Sequence, residues 1–150
     1  MSRVKHTTSF EIQEPVNVLF PLFSAEGEML WVPGWDYENI MGSTEIHEDY
    51  VFVTKSHDHA TSDAVWVVKR YEPEKYLIQF YKVEPKEKLG VIEVQCSELK
   101  KSLTKVQVTY EYIGLSATGN EFIAGFSKEK YEAFIGEWEQ LLVNYFTSKC

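Results

Sequence analysis

Residues 127–145 read SKEKYEAFIGEWEQLLVNY, and this stretch decides the fold. Tyr131, Phe134, Ile135, Trp138, Leu141, Leu142 and Tyr145 recur at helical spacing, with Lys128, Lys130, Glu132, Glu137 and Glu139 on the opposite side. Ser127 stands where a side-chain oxygen can accept from a first-turn amide and cap the helix. A helix of about 20 residues is close to 30 Å long. A stripe that bulky is hidden only against a sheet curved enough to surround it. The spacing therefore predicts a long C-terminal helix gripped by a bent sheet.

Working back along the chain, the sheet is where it is needed. Leu103 to Ile113 alternates Thr104, Val106, Val108, Tyr110 and Tyr112 against Lys105, Gln107, Thr109 and Glu111, the period of two of a half-buried strand. Leu89 to Leu99, Tyr76 to Val83 and Ala64 to Tyr71 are further strands, separated by turns at Pro85 to Lys88 and at Glu72-Pro73-Glu74. Thr44 to His47 and Tyr50 to Lys55, joined by Glu48-Asp49, have hairpin length. At the other end of the chain, Val4, His6, Thr8, Phe10 and Ile12 alternate with polar residues and predict the first strand, the seventh in all. Pro15 suits a helix start, and Val16, Leu19, Phe20 and Phe23 follow at helical spacing until Pro21 must kink or end the run. A second short helix is expected from about Ala25 to Trp31, stopped by Pro33-Gly34. Thr118 with Glu121 fits a capping box ahead of Phe122, Ile123 and Phe126. The result is an α+β chain with a seven-stranded antiparallel meander around its last helix, one domain over residues 1–150.

Composition narrows the function classes. A hydrophobic fraction of 44% and an aromatic fraction of 15% belong to a packed globular chain. A formal net charge of -8 repels a phosphate backbone, and the one basic cluster, Lys100, Lys101 and Lys105, is short, so nucleic acid is not expected as a partner. No apolar run approaches the roughly 20 residues that span a bilayer, and the start lacks the apolar core of a signal peptide. A cytoplasmic protein without stable membrane insertion, monomeric or weakly dimeric, is the expectation. Cys96 and Cys150 are too few for a disulfide framework or a thiolate metal site.

The order of strand, two short helices, six strands and long helix resembles the START-like or polyketide-cyclase-like superfamily (SRPBCC), which has the helix-grip fold. The resemblance covers nearly the whole chain. It is carried by Pro21-Leu22-Phe23-Ser24-Ala25-Glu26-Gly27-Glu28 running into Leu30-Trp31-Val32-Pro33-Gly34-Trp35, by Trp66-Val67-Val68-Lys69-Arg70-Tyr71, and by Gly119-Asn120-Glu121-Phe122 with Glu137-Trp138-Glu139. Within the superfamily these stretches look like a bacterial subgroup. What the resemblance implies is an internal cavity between sheet and helix for a hydrophobic small molecule or lipid-like guest, with no cofactor and no shared catalytic residue.

Candidate lining residues are Trp66, Ile78, Phe80, Tyr131, Phe134, Ile135 and Trp138, each of which also reads as ordinary core, and Trp35, which with Trp31 flanks Pro33-Gly34 and reads either as the rim of an entrance or as an aromatic that pins a structural loop. Tyr110 and Tyr112 add phenols that can orient a ligand hydroxyl or carbonyl. His6 falls among the inward positions of the first strand, where an imidazole serves as acid or base or as a hydrogen-bonded core residue. A cyclase- or dehydratase-type enzyme using His6, Tyr81 or Tyr110 for proton transfer is the rival to a carrier, and a chaperone-regulator-like interaction module is a third reading. His57-Asp58-His59 alone has metal-ligand chemistry, but no further ligand is near in sequence, so a solvated turn is the reading adopted and no metal is expected.

Overall fold

The computed structural model describes residues 2–55 and 63–149. Strand β1 (Arg3–Ile12) is followed by α1 (Val16–Leu19), a 3-10 turn (Phe20–Leu22) and α2 (Ala25–Glu28). Then come β2 (Val51–Thr54), β3 (Ala64–Glu72), a 3-10 turn (Pro73–Lys75), β4 (Leu77–Glu84), β5 (Lys88–Lys100), β6 (Leu103–Gly114), α3 (Ala117–Gly125) and α4 (Lys128–Ser148). The strands form one antiparallel sheet in the order β1-β6-β5-β4-β3-β2. The first strand therefore closes onto the last, while β2 forms the far edge.

Alternation along the strands sets the inner face. Phe10 and Ile12 of β1, Ile78 and Phe80 of β4, Ile92, Val94 and Cys96 of β5, and Val106, Val108, Tyr110 and Tyr112 of β6 are buried, while their neighbours in sequence, apart from buried Leu77 at the start of β4, are half-buried or exposed. Against this face lies α4, capped as expected by Ser127, whose hydroxyl accepts from the Lys130 amide at 3.2 Å. Its stripe of Tyr131, Ile135, Trp138 and Leu142 is buried. The short N-terminal helices flank one end of the hollow and are held by two indoles. Trp31 Nε1–H donates to the Leu22 carbonyl and Trp35 Nε1–H to the Ala25 carbonyl, each at 2.8 Å.

Two expectations need correction. The chain has six strands among the described residues, not seven, because Thr44–His47 is not a strand. The open edge of β2 is occupied from elsewhere: Glu38 N–H donates to the Val53 carbonyl at 2.7 Å, and the Val51 amide turns to Met41 Sδ at 3.2 Å. A hairpin partner would need those same groups. The start of α3 also differs: Ser116, not Thr118, caps it, accepting from the Gly119 amide at 3.3 Å, while its own hydroxyl donates to the Lys86 carbonyl at 2.6 Å. That second bond ties the cap to the β4–β5 turn, a long-range preference invisible to local spacing. The close approach is visible at Gly119, where an added Cβ would stand 1.7 Å from the Glu87 carbonyl oxygen.

Candidate functional site

The predicted lining residues separate into four groups. Ile78 walls a hollow of about 320 Å³ together with Phe20, Pro21, Phe23, Ser24, Glu45, Ile46 and Tyr71. This mouth lies between the N-terminal helices and the β3–β4 end of the sheet. Sequence reading placed Phe20, Phe23 and Tyr71 in helices or strands but not at a site. Nothing local distinguishes an aromatic that fills a core from one that edges a void.

Trp35, Trp66 and Phe80 form a second group with Phe52, the ring centroids 5.4–6.4 Å apart. The Trp66 indole donates to Thr54 Oγ1 at 2.8 Å. A third group joins β6 to α4. Tyr110 meets Tyr131, Phe134 and Trp138 at 5.6–6.1 Å, and Trp138 continues to Trp31 at 5.7 Å and Phe23 at 6.2 Å. Ile135 is buried in the same core. Aromatic pairs of this kind, mostly edge-to-face, add about 0.5–1.5 kcal/mol each beyond the area they bury, so the sheet-facing side of α4 is held by its rings. Phe23 links the helix stripe to the void, touching Trp138 on one side and walling the mouth on the other.

His6 and Tyr112 belong to the fourth group, under α3. Nε2–H of His6 donates to the Phe126 carbonyl at 2.8 Å, an assignment that follows because a carbonyl only accepts. Its ring stacks on Tyr131 at 5.5 Å. The Tyr131 hydroxyl donates to the Val108 carbonyl, and burial pushes its pKa well up, so it stays protonated. Tyr81 is corrected as an interior group: it alternates with buried Phe80 and Lys82 and meets Lys69 Nζ, 5.0 Å from its ring, on the other face of β4. His57-Asp58-His59 and Cys150 lie outside the described residues. Cys96 is buried, and desolvation pushes its thiol up to about 12, which suits a small core residue rather than a nucleophile.

What sequence reading missed is the charge on the inner face. Continuing the β4 alternation past Ile78 and Phe80 brings Lys82 and Glu84 inward, and β5 begins with Lys88 on the same side. All three are buried. Lys82 Nζ lies 5.2 Å from the Trp66 ring centroid. Lys88 Nζ stands 3.1 Å from Glu84 Oε2 and 3.6 Å from Glu87 Oε1, and 4.2 Å from the Phe122 ring centroid. The period of two was the available signal: Ile78, Phe80, Lys82 and Glu84 share one parity. Along that parity the hollow face runs from an apolar mouth to a charged closed end, a distance of about 20 Å at strand rise.

Three comparisons bear on this geometry. No protein-family model matches the chain, nor does any curated protein sequence. Solved structures match along almost its whole length. Major latex-like protein 151 from Panax ginseng superposes with a TM-score of 0.70 at 16% identity, covering 95% of this chain and 96% of that one. Zhui aromatase/cyclase from Streptomyces sp. R1128 gives 0.63 at 15% identity over 98% and 93%. Norcoclaurine synthase from Thalictrum flavum, in complex with dopamine and hydroxybenzaldehyde, gives 0.65 at 11% identity over 95% and 87%. The chain shares the helix-grip fold of these proteins, and at these identities the likeness is one of fold alone.

Proposed function

We propose that the protein binds a hydrophobic small molecule in the helix-grip hollow, entered between the N-terminal helices and the β3–β4 end of the sheet. The observation that carries this reading is the void of about 320 Å³ with Phe20, Phe23, Tyr71 and Ile78 in its walls. Ligand pockets run from about 300 to 1,000 Å³ and are mostly apolar with a few polar groups. The mouth is at the small end of that range, and Ser24 and Glu45 supply polar rim atoms. Support also comes from norcoclaurine synthase, in which the same fold carries dopamine and hydroxybenzaldehyde. Those are aromatic molecules of a size this void accommodates.

No helix among the described residues is long and apolar enough to cross a membrane. The test is fluorescence titration with 1-anilinonaphthalene-8-sulfonate, paired with native mass spectrometry of the freshly purified protein. One saturable site that is lost in Ile78→Trp, a substitution that fills the void, supports the reading. Absence of saturable binding, or binding indifferent to that substitution, overturns it.

A further inference from the structure

At the closed end of the hollow, Glu84 is fully buried, yet neither of its carboxylate oxygens accepts an aligned hydrogen bond among the described residues. Lys88 faces it as an ion pair at 3.1 Å. Asn120, in the first turns of α3, has a buried Oδ1 that likewise lacks a hydrogen-bond partner. Buried acceptors left without donors are rare in folded proteins, and each costs as much as a lost hydrogen bond. The closed end therefore has surplus acceptors.

Phe122 is the partition between this end and the surface. One face of its ring lies 4.2 Å from Lys88 Nζ. On the solvent side is a groove of about 460 Å³, lined by Thr118, Glu121, Phe122, Gly125, Phe126 and Lys130. Phe122 and Phe126 stack with centroids 5.3 Å apart and give that groove an aromatic floor. Phe122 is only half-buried, and a change of its rotamer is the movement that joining the groove to the Glu84–Lys88 pair would require.

Charge decides what fits. Glu84 and Glu87 both face Lys88, and Lys82 is the next inward residue of β4, so the buried charges already balance. An ammonium or a metal ion would meet Lys88 beside the carboxylate, and an anion would meet Glu84. A neutral O–H donor supplies what the oxygens lack without adding charge. We propose a second binding site here, for a small phenol or alcohol whose apolar body lies on Phe122 and Phe126 and whose hydroxyl donates to Glu84 behind the Phe122 ring. The site is separate from the mouth at Ile78 and does not depend on it.

The experiment compares 4-ethylphenol with its methyl ether, 4-ethylanisole, by NMR titration of the full chain. The expected result is amide shifts at Gly119–Phe126 and Glu84–Lys88, with the phenol at least about tenfold tighter than the ether, as one hydrogen bond to a charged acceptor implies. In the double variant Glu84→Leu/Lys88→Met, which removes both charges together and is checked for folding by thermal melting, that preference should vanish while weak binding of both probes persists. Equal affinity of phenol and ether for the unaltered protein, shifts confined to the mouth, no shifts at all, or a preference that survives in the folded double variant would each overturn the proposal.

Discussion

The two ends of the inner face obey the same strand alternation and are stabilised by different physics. At the mouth, Ile78 packs with Phe20, Phe23 and Tyr71 beside a void, so what matters there is volume. At the closed end, Glu84 and Lys88 hold each other 3.1 Å apart with Phe122 across the ammonium, so what matters is charge pairing. The lesson is that inward parity tells where a side chain goes, and its chemistry tells what the neighbourhood must provide. An apolar end can lose or gain a guest cheaply, whereas a charged end tolerates only matched changes.

The largest effect should come from splitting the ion pair. Glu84→Ala leaves a buried ammonium without its nearest carboxylate and should cost about 3–5 kcal/mol in urea unfolding, whereas Glu84→Leu/Lys88→Met should be close to neutral. If the double variant is as unstable as the single, charge pairing is not what distinguishes the closed end. Ile78→Ala probes the other end. Loss of its buried methyls should cost about 2–5 kcal/mol, toward the lower bound because the site already borders a void. By mass action, a saturating apolar probe should raise the stability of Glu84→Ala by the same increment as that of the unaltered protein, because the mouth is intact in both, and that of Ile78→Ala by a different increment.

The Tyr131 hydroxyl ties α4 to β6. Tyr131→Phe leaves the buried Val108 carbonyl without this donor, and a loss of about 1–3 kcal/mol in denaturant midpoint analysis is expected. The smallest effect near neutral pH is alkaline. Burial raises the Cys96 thiol to about 12 from 9.0, and also raises Tyr131, so the unfolded chain releases these protons first. Stability should therefore hold below about pH 9 and decline as pH rises toward 12, and native Cys96 should resist thiol reagents at pH 8 until the chain unfolds. Rapid labelling of folded protein would show that the thiol is not enclosed as described.

Much of this architecture was legible from residues. The stripe from Tyr131 to Tyr145 predicted α4 and its Ser127 cap, and the parity of Val4 to Ile12 and of Thr104 to Tyr112 predicted two strands that turn out to pair with each other. What failed were features settled at a distance. Thr44–His47 looks like a strand until Glu38 and Met41 take the edge of β2, and Thr118 looks like a cap until Lys86 recruits Ser116. For the candidate site, the sequence identified interior aromatics but not the edge of the void among them. It also hid Lys82, Glu84 and Lys88, because charged residues next to a turn read as solvated unless strand parity is carried through to the last residue.

The pairing of first strand with last has a further consequence. Thr7 and Thr109 share a hydrogen bond across 102 positions of chain. During synthesis at about 5–20 residues per second, β1 must wait several seconds, without a ladder partner, for β6 to leave the ribosome. Its edge residues Arg3, Lys5 and Glu11 are charged, which discourages wrong pairing during that interval. Docking of β1 on β6 is thus a late, non-local step, and the protein should fold in the slow, high-contact-order regime rather than the helical one.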